Sequence, residues 1–158
     1  VNVQQPVIDW SSWQSGEDQL QVACDSGQWP DGKRFGKVHT RPWIQAPYAI
    51  KIDAKDKTVE GRPHCGWVEE ARKDDAIRFT ITKSKRKYLC VRVRGTKRFK
   101  TFKEMLKECG MGACRPGVDG GIDAGVCLYR SFATTMGPYD VLEKKYGVCG
   151  IFIEPIAH

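Results

Sequence analysis

The three histidines of this chain, His39, His64 and His158, are the residues whose chemistry is most informative. A metal-independent ribonuclease needs a base for the proton of the 2′-hydroxyl, an acid for the leaving oxygen and a cation for the phosphate. The chain also supplies side chains that would complete such a set: Arg41, Arg62, Glu154. A ribonuclease site is therefore one interpretation if the fold gathers these residues, and the alternative is that the three are ordinary surface or half-buried histidines.

The end of the chain resembles a known enzyme family over a few residues. Cys149-Gly150-Ile151, followed by His158, is similar to the closing strand of fungal secreted ribonucleases and ribotoxins. Glu154-Pro155 departs from that pattern, so the histidine does not take the equivalent strand position. The resemblance implies RNA cleavage, which is kept as an alternative function.

No other stretch forms a catalytic or cofactor motif. The sequence has no phosphate-binding glycine loop and no Gly-x-Ser-x-Gly nucleophile elbow. Cys109 and Cys114 are close together but have no second pair to complete a tetrahedral zinc site. We therefore expect no cofactor, no metal and no enzymatic activity. No apolar run approaches the length of a bilayer span, so we also expect no transmembrane segment.

The cysteines predict an oxidising compartment, because they are spread over the chain and are not clustered as ligands. The seven are Cys24, Cys65, Cys90, Cys109, Cys114, Cys127 and Cys149. At most three disulfides fit seven cysteines, and sequence does not choose among the pairings. The start at Val1 fits a removed signal peptide. We expect a secreted, extracellular protein, or one delivered into host cells, with one domain over residues 1–158 and an irregular N-terminal arm over 1–18.

Positive charge is concentrated in one segment. The net charge is +7, and residues 83–107 carry eleven Lys and Arg against one acid, Glu104. Such a patch attracts polyanions such as nucleic acid or acidic glycan. The alternative is a solvated hairpin face that discourages edge-to-edge aggregation. The candidate anion-binding residues are Lys85, Arg86, Lys87, Arg92, Arg94, Lys97, Arg98 and Lys100.

Apolar periodicity predicts an α+β fold, an antiparallel β-sheet with short packed helices, stabilised by disulfides. The clearest feature is a hairpin in which Ile77–Ile81 and Leu89–Val93 alternate. Thr101 and Glu104 have the spacing of a capping box, which predicts a helix ending at Gly110. Further helices are predicted at 66–73 and between Pro138 and Gly147. The other predicted strands are 20–24, 48–52, 126–132 and 148–154, and the predicted loops are 25–47 and 110–125.

The chain resembles the small secreted cysteine-rich effectors of plant-pathogenic fungi. The resemblance lies in length, seven dispersed cysteines, the aromatic turn Gln28–Gly32 and the absence of Asn-x-Ser/Thr, since Asn2 is the only asparagine. It implies a non-enzymatic virulence factor that binds a host protein or receptor. We expect binding through the basic hairpin 83–107 and the loops 25–47 and 110–125. A receptor-binding domain of a viral or parasite surface protein is a further alternative, which the missing glycan acceptors disfavour.

Overall fold

Helices cover both faces of a six-stranded sheet in the computed structural model, which describes residues 7–13 and 16–156. The α-helices are α1 (Glu17–Ser26), α2 (Ala46–Asp53), α3 (Phe102–Cys109), α4 (Met111–Cys114), α5 (Gly121–Arg130) and α6 (Tyr139–Tyr146). The strands are β1 (Val38–His39), β2 (Trp43–Ile44), β3 (Val59–Pro63), β4 (Ala76–Ile81), β5 (Tyr88–Phe99), β6 (Ala133–Thr134), β7 (Gly137–Pro138) and β8 (Val148–Pro155). A 3-10 helix spans Gly66–Glu70.

The sheet is mostly antiparallel. Its order is β1-β4-β5-β8-β3, and β2 also pairs with β4. The β4–β5, β5–β8 and β8–β3 pairs are antiparallel, whereas β1 and β2 run parallel to β4. A register shift between Val93 and Gly95 occurs where the long β5 strand pairs with β8. The predicted α+β class with an antiparallel sheet and short packed helices is confirmed.

Successive side chains of the strands point to opposite faces of the sheet, and the apolar ones form a separate core on each face. On one face, Ile77, Phe79 and Val91 pack with Ala49 and Ile52 of α2. A second cluster on the other side packs β3 and β8 against α3, α5 and α6 through residues such as Phe102 and Tyr129, whose rings stack 4.5 Å apart. A third cluster packs α1 against the sheet, through Leu20 and Ala23 of the helix and Ala76 and Cys90 of the strands. Burial on both faces supplies the main stabilisation of the fold.

The hairpin, the capped helix and the closing strand are confirmed. Strands β4 and β5 pair Ile77 with Val91 and Phe79 with Leu89. The Thr101 hydroxyl accepts a hydrogen bond from the Glu104 backbone N–H (3.1 Å), and α3 ends before Gly110. The predicted helices at 66–73 and 138–147 are present as the 3-10 helix and α6, and the closing strand is β8.

Three predicted strands are wrong, because these segments are helical. Leu20–Cys24 lies in α1, the segment 48–52 lies in α2, and most of 126–132 lies in α5. The buried residues are three apart, as Leu20 and Ala23 are, or Ala49 and Ile52. This spacing places them on one face of a helix.

The predicted loops also contain regular structure. Loop 110–125 holds α4 and the start of α5, and loop 25–47 holds β1, β2 and the start of α2. Of the predicted arm over 1–18, residues 1–6 and 14–15 lie outside the described residues, and α1 begins at Glu17. Within the described ranges, no helix is both long enough and apolar enough to cross a membrane.

Candidate functional site

A pocket of about 560 Å³ opens beside β3, the edge strand of the sheet. Its walls come from four segments: the connector through β2 into α2, the strand β3, the 3-10 helix, and the short β6–β7 hairpin. Arg115, in the connector that follows α4, closes one side. The pocket thus gathers residues that are far apart in the sequence.

Three charged residues of the segment 57–62 line this pocket. Successive side chains of a strand point to opposite faces, so Glu60 and Arg62 project to the same side of β3. Lys57 lies two residues before β3 and also lines the pocket. Gly61 lies between them, where a Cβ atom would come within 2.5 Å of Met105 Cε. A larger residue at this position would therefore have to displace the Met105 and Tyr129 side chains that pack behind β3.

Lys57 is completely buried. Its Nζ atom donates hydrogen bonds of 2.6 Å to the carbonyls of Val59 and Cys114, and it lies 4.0 Å from Glu60 Oε1. Burial lowers the pKa of Lys57 to about 8, although the Glu60 carboxylate opposes this shift. The folded state therefore favours the charged form of Lys57 less than water does.

Glu60 is the acidic centre of the cluster. Burial disfavours its charged form, but the cations Lys57, Arg62 and Arg115 outweigh burial and hold its pKa below the usual value. Arg62 Nη2 lies 3.9 Å from Glu60 Oε2. Glu60 is thus an ionised hydrogen-bond acceptor at physiological pH.

The two arginines lie against aromatic rings. Arg62 donates from Nη2 to the Trp43 carbonyl (2.9 Å), and its guanidinium carbon is 5.6 Å from the ring centre of Trp67. The guanidinium carbon of Arg115 lies 4.2 Å from the Tyr129 ring, 4.6 Å from the Tyr48 ring and 4.9 Å from the Phe132 ring. In the described part of the chain, the Nε atoms of Arg62 and Arg115 are buried without a hydrogen-bond partner.

The mouth of the pocket is aromatic and open. Trp43 is 62% exposed and Met136 is 54% exposed, and Trp67 is half-buried. Tyr48 and Phe132 line the pocket deeper in the wall. A flat polar ring fits this arrangement, because aromatic side chains stack on its faces while charged groups meet its edges.

Half of the predicted anion-binding residues are engaged within the protein. Arg92 is buried and pairs with Asp31 (3.0 Å) and Asp74 (2.8 Å). Arg94 pairs with Glu154 (3.0 Å), Lys97 with Glu108 (2.6 Å), and Arg98 donates to the Tyr146 carbonyl (3.2 Å). These contacts neutralise much of the basic face along β5.

The other four are differently placed. Lys85, Arg86 and Lys87 lie in the connection between β4 and β5, and Lys100 is exposed just before α3. None of the eight lines the pocket. The predicted loops contribute more directly, since the segment Arg41–Gln45 forms part of the wall and Arg115 another part.

The histidines do not form a common site in the described residues. The Nε2 atom of buried His39 is 2.7 Å from Asp75 Oδ2, and the His39 ring lies against Trp67. His64 is half-buried, and burial lowers its pKa. His158 lies outside the described residues, and Glu154 pairs with Arg94. Neither His39 nor His64 lines the pocket.

The prediction of disulfide bonds is wrong. All seven cysteines fall in the described ranges, and each carries a free thiol. Cys65, Cys90, Cys114 and Cys149 are buried, and Cys90, Cys114 and Cys149 belong to the hydrophobic clusters. A buried cysteine packs as a small apolar residue, which accounts for these positions without cross-links. Among the described residues, no group of three or more His, Cys, Asp or Glu has a metal-binding arrangement.

Sequence comparison identifies the family. Residues 43–156 match the ASCH domain, so the chain belongs to the ASCH domain family. The crystal structure of the archaeal hypothetical protein PH0355 is similar, with 35% identity, a TM-score of 0.63, and coverage of 77% of this chain and 100% of that chain. The solution structure of protein PF0455 from Pyrococcus furiosus is also similar, with 29% identity, a TM-score of 0.58, and coverage of 78% and 100%. No curated protein matches the chain.

The family membership corrects the interpretation as a secreted effector. An ASCH domain with archaeal structural relatives is not a cysteine-rich virulence factor of a plant-pathogenic fungus, and the free thiols remove the main argument for secretion. The predicted extracellular localisation rests on the same argument and is wrong, and the predicted host receptor has no support.

Sequence reasoning missed three of the five charged residues that line the pocket, Lys57, Glu60 and Arg115. The other two, Arg41 and Arg62, were named only as partners of the histidines in a ribonuclease site. The detectable signal is the spacing Lys-x-x-Glu-x-Arg over residues 57–62. The apolar residues Val59 and Pro63 occupy the alternate positions, which would face the other side of a strand. Two opposite charges at alternate positions of a strand point to one side, which is a pattern for a polar site on a sheet edge.

Proposed function

We propose that the protein binds RNA by taking an unpaired base into the pocket beside β3. The observation that carries the proposal is a cluster of three cations and one carboxylate in a pocket with aromatic walls; Lys57, Glu60 and Arg115 are buried and Arg62 is half-buried. A fold gains little stability from such charges in its interior, so their presence favours a ligand that uses them.

The shape of the pocket suits a nucleobase. Its volume of about 560 Å³ lies within the usual range of small-molecule sites. The rings of Trp67, Tyr48 and Phe132 offer faces on which a base stacks. A base must leave its neighbours to enter, which is easiest in single-stranded or looped RNA.

The chemistry of the charged cluster suits the edge of a base. An ionised carboxylate such as Glu60 accepts hydrogen bonds from exocyclic amino groups, and arginine donates to ring nitrogens and carbonyl oxygens. Arg62 and Arg115 line the pocket and carry donors of this kind. The basic net charge favours the phosphates of the chain. ASCH domains as a class are associated with RNA binding, which supports the choice of nucleic acid.

The first test measures binding of a labelled single-stranded RNA by fluorescence anisotropy with Glu60→Gln. The substitution keeps the size of the side chain but removes the charged acceptor, so we expect affinity to fall by about tenfold or more. Glu154→Gln is the matched control, because it removes a half-exposed carboxylate that pairs with Arg94 outside the pocket. Wild-type affinity is expected for this control.

A second variant separates loss of binding from loss of folding. Glu60→Gln leaves three cations with less compensation and lowers stability. Thr135→Trp instead adds bulk at an exposed residue of the pocket wall and leaves every buried charge in place. We expect this variant to unfold at a similar temperature to the wild type but to bind RNA weakly. Unchanged RNA affinity in both folded variants would show that the pocket is not the binding site.

A further inference from the structure

The connection between β4 and β5, residues 82–87, begins at the mouth of the pocket. Thr82 lines the pocket. Its backbone N–H donates to the Ile44 carbonyl (2.9 Å), and its hydroxyl donates to the same carbonyl (3.2 Å). Lys83 follows directly, so its Cα atom is about 3.8 Å from that of Thr82. This connection, called the β4–β5 tip below, is therefore anchored to the pocket wall.

The β4–β5 tip carries cations that no acid neutralises. Lys83, Lys85 and Arg86 are exposed. None of the ion pairs formed within residues 7–13 and 16–156 involves these three side chains. Along β5, Arg92, Arg94 and Lys97 each pair with a carboxylate, and Arg98 donates to the Tyr146 carbonyl. The end of the hairpin beside the pocket thus gathers three cations without an ion-pair partner among the described residues.

The backbone of the β4–β5 tip has a defined shape. Lys83, Lys85 and Arg86 have φ angles of 60°, 55° and 67°, in the left-handed region that residues with a Cβ seldom occupy. Buried Ser84 holds the turn, because its hydroxyl donates to the Ile81 carbonyl (2.6 Å) and accepts from the Lys87 N–H (3.2 Å). A turn ordered before binding loses less conformational entropy when a ligand binds.

Arg41 adds a cation at the same mouth. It is exposed, lines the pocket and forms no ion pair within the described ranges. It lies three residues before Ile44, to which Thr82 is bonded. We infer that Arg41 and the β4–β5 tip bind the phosphates on either side of the base in the pocket, so that the partner is a single-stranded RNA chain and not a free nucleoside or nucleotide. This inference rests on the proposed function.

The test compares a chain with its monomers. Affinity for a labelled single-stranded RNA of about 12 nucleotides and for each nucleoside monophosphate is measured with the wild type and with K83N/K85N/R86N. Asparagine removes the charges and is the residue, after glycine, that best accepts a positive φ. The matched control is K103Q/K107Q/K144Q, which removes three exposed lysines of α3 and α6 that do not line the pocket.

The tip variant is expected to bind the RNA about tenfold or more weakly at about 0.1 M salt, because it loses up to three phosphate contacts. The slope of log affinity against log salt should fall by up to about 2 for a single strand. Affinity for the monophosphates should fall less than affinity for the RNA, because each carries one phosphate and can lose at most one of these contacts. The control should remain within about twofold of the wild type, since its charges lie away from the proposed phosphate contacts.

Three results would overturn the inference. Equal RNA affinity and salt slope in the tip variant and the wild type would leave the pocket as the whole site. An equal loss in the tip variant and the control would indicate only a long-range effect of net charge. A wild type that binds neither RNA nor any monophosphate would remove the proposed function itself, which the first two results leave intact.

Discussion

Buried charge distinguishes the pocket at the scale of single residues. Each ion taken out of water carries a desolvation cost of several kcal/mol, and mutual attraction repays this cost only with good geometry. The three cations outweigh burial for Glu60 and hold its pKa low, whereas burial prevails for Lys57 and lowers its pKa. The charged form of Lys57 therefore costs stability in the free protein. A ligand that places a hydrogen-bond acceptor or negative charge near these cations would recover part of that cost.

Lys57 provides a test that needs no ligand. Its pKa is about 8 in the folded protein against 10.5 for an ordinary lysine, because the folded state disfavours the charged form. Between these values the unfolded chain binds the proton and the folded chain does not, so this lysine's contribution to stability increases as pH rises from 8 to 10.5. The gain approaches about 3 kcal/mol, at about 1.4 kcal/mol per pKa unit.

The measurement is the difference in free energy of unfolding between the wild type and Lys57→Met, by denaturant titration at several pH values. Subtraction removes the groups that the two proteins share. We expect the difference to shift in favour of the wild type as pH rises through this window. The same comparison for Lys144→Met, an exposed lysine of α6, should be flat. A flat difference for Lys57→Met as well would mean that Lys57 titrates as an ordinary lysine.

At the scale of elements, α3 links the β5 strand to the helical face of the second core. It contributes Phe102, Met105 and Leu106 to that cluster. Its first turn is closed by the Thr101 hydroxyl, and the Glu104 carboxylate accepts from the Lys100 N–H (3.1 Å). The Phe102 N–H donates to buried Glu143 of α6 (2.7 Å), so that the start of α3 is also tied to a second helix.

Thr101→Ala removes the cap and leaves the Glu104 N–H without its side-chain acceptor. We expect a loss of about 1 kcal/mol in the free energy of unfolding, which lowers the melting temperature by about 2–4 °C. Thr40→Ala is the control, since Thr40 is exposed and belongs to no helix or strand. Equal melting temperatures for Thr101→Ala and Thr40→Ala would contradict the capping role.

The elements also show what sequence patterns can predict. The hairpin of β4 and β5 was predictable because its apolar residues alternate over two runs, and only a strand satisfies that period. The helices α1 and α2 were misread because Leu20 and Val22, or Tyr48 and Ile50, fit a strand over such short stretches. A strand would bury Val22 with Leu20 and Ile50 with Tyr48, because its side chains alternate. Val22 and Ile50 are exposed in the fold, which fits the period of a helix.

The candidate site was out of reach for a different reason. Lys57, Glu60 and Arg62 have the residue types of a solvated face, yet Lys57 and Glu60 are buried, and Lys57 bonds to the carbonyl of Cys114 in α4, far along the sequence. Arg115 reaches the same pocket from far along the sequence. Charge counting instead selected the hairpin, in which Arg92, Arg94 and Lys97 form internal ion pairs and the cations of the β4–β5 tip form none among the described residues.

For the whole molecule, the cysteine content wrongly predicted disulfide bonds and secretion. The chain buries apolar residues on both sides of its sheet, so at this size it does not depend on cross-links for stability. Burial raises the pKa of Cys90 and of Cys114 to about 12 and that of Cys149 to about 11. These thiols are held in the protonated, unreactive form.

We therefore expect the melting temperature to be the same with and without a reducing agent. Protein purified without reductant and then denatured should titrate as seven thiols per chain. In the native protein the exposed Cys24 and Cys127 should alkylate first, and Cys90, Cys114 and Cys149 should be protected. A reductant-dependent melting temperature, or fewer than seven thiols after denaturation, would argue for a disulfide.

The position of β8 has a consequence for how the protein is made. This strand follows all the others in the chain, yet it lies between β5 and β3 in the sheet. During synthesis β4 and β5 can pair as soon as they emerge from the ribosome, whereas β3 must wait for β8 as its only sheet neighbour among the described strands. Because β3 carries Glu60 and Arg62, the nascent chain has no finished pocket until β8 inserts. Pairing between such distant segments is slow, so the proposed RNA binding would begin only after β8 has been translated and has inserted.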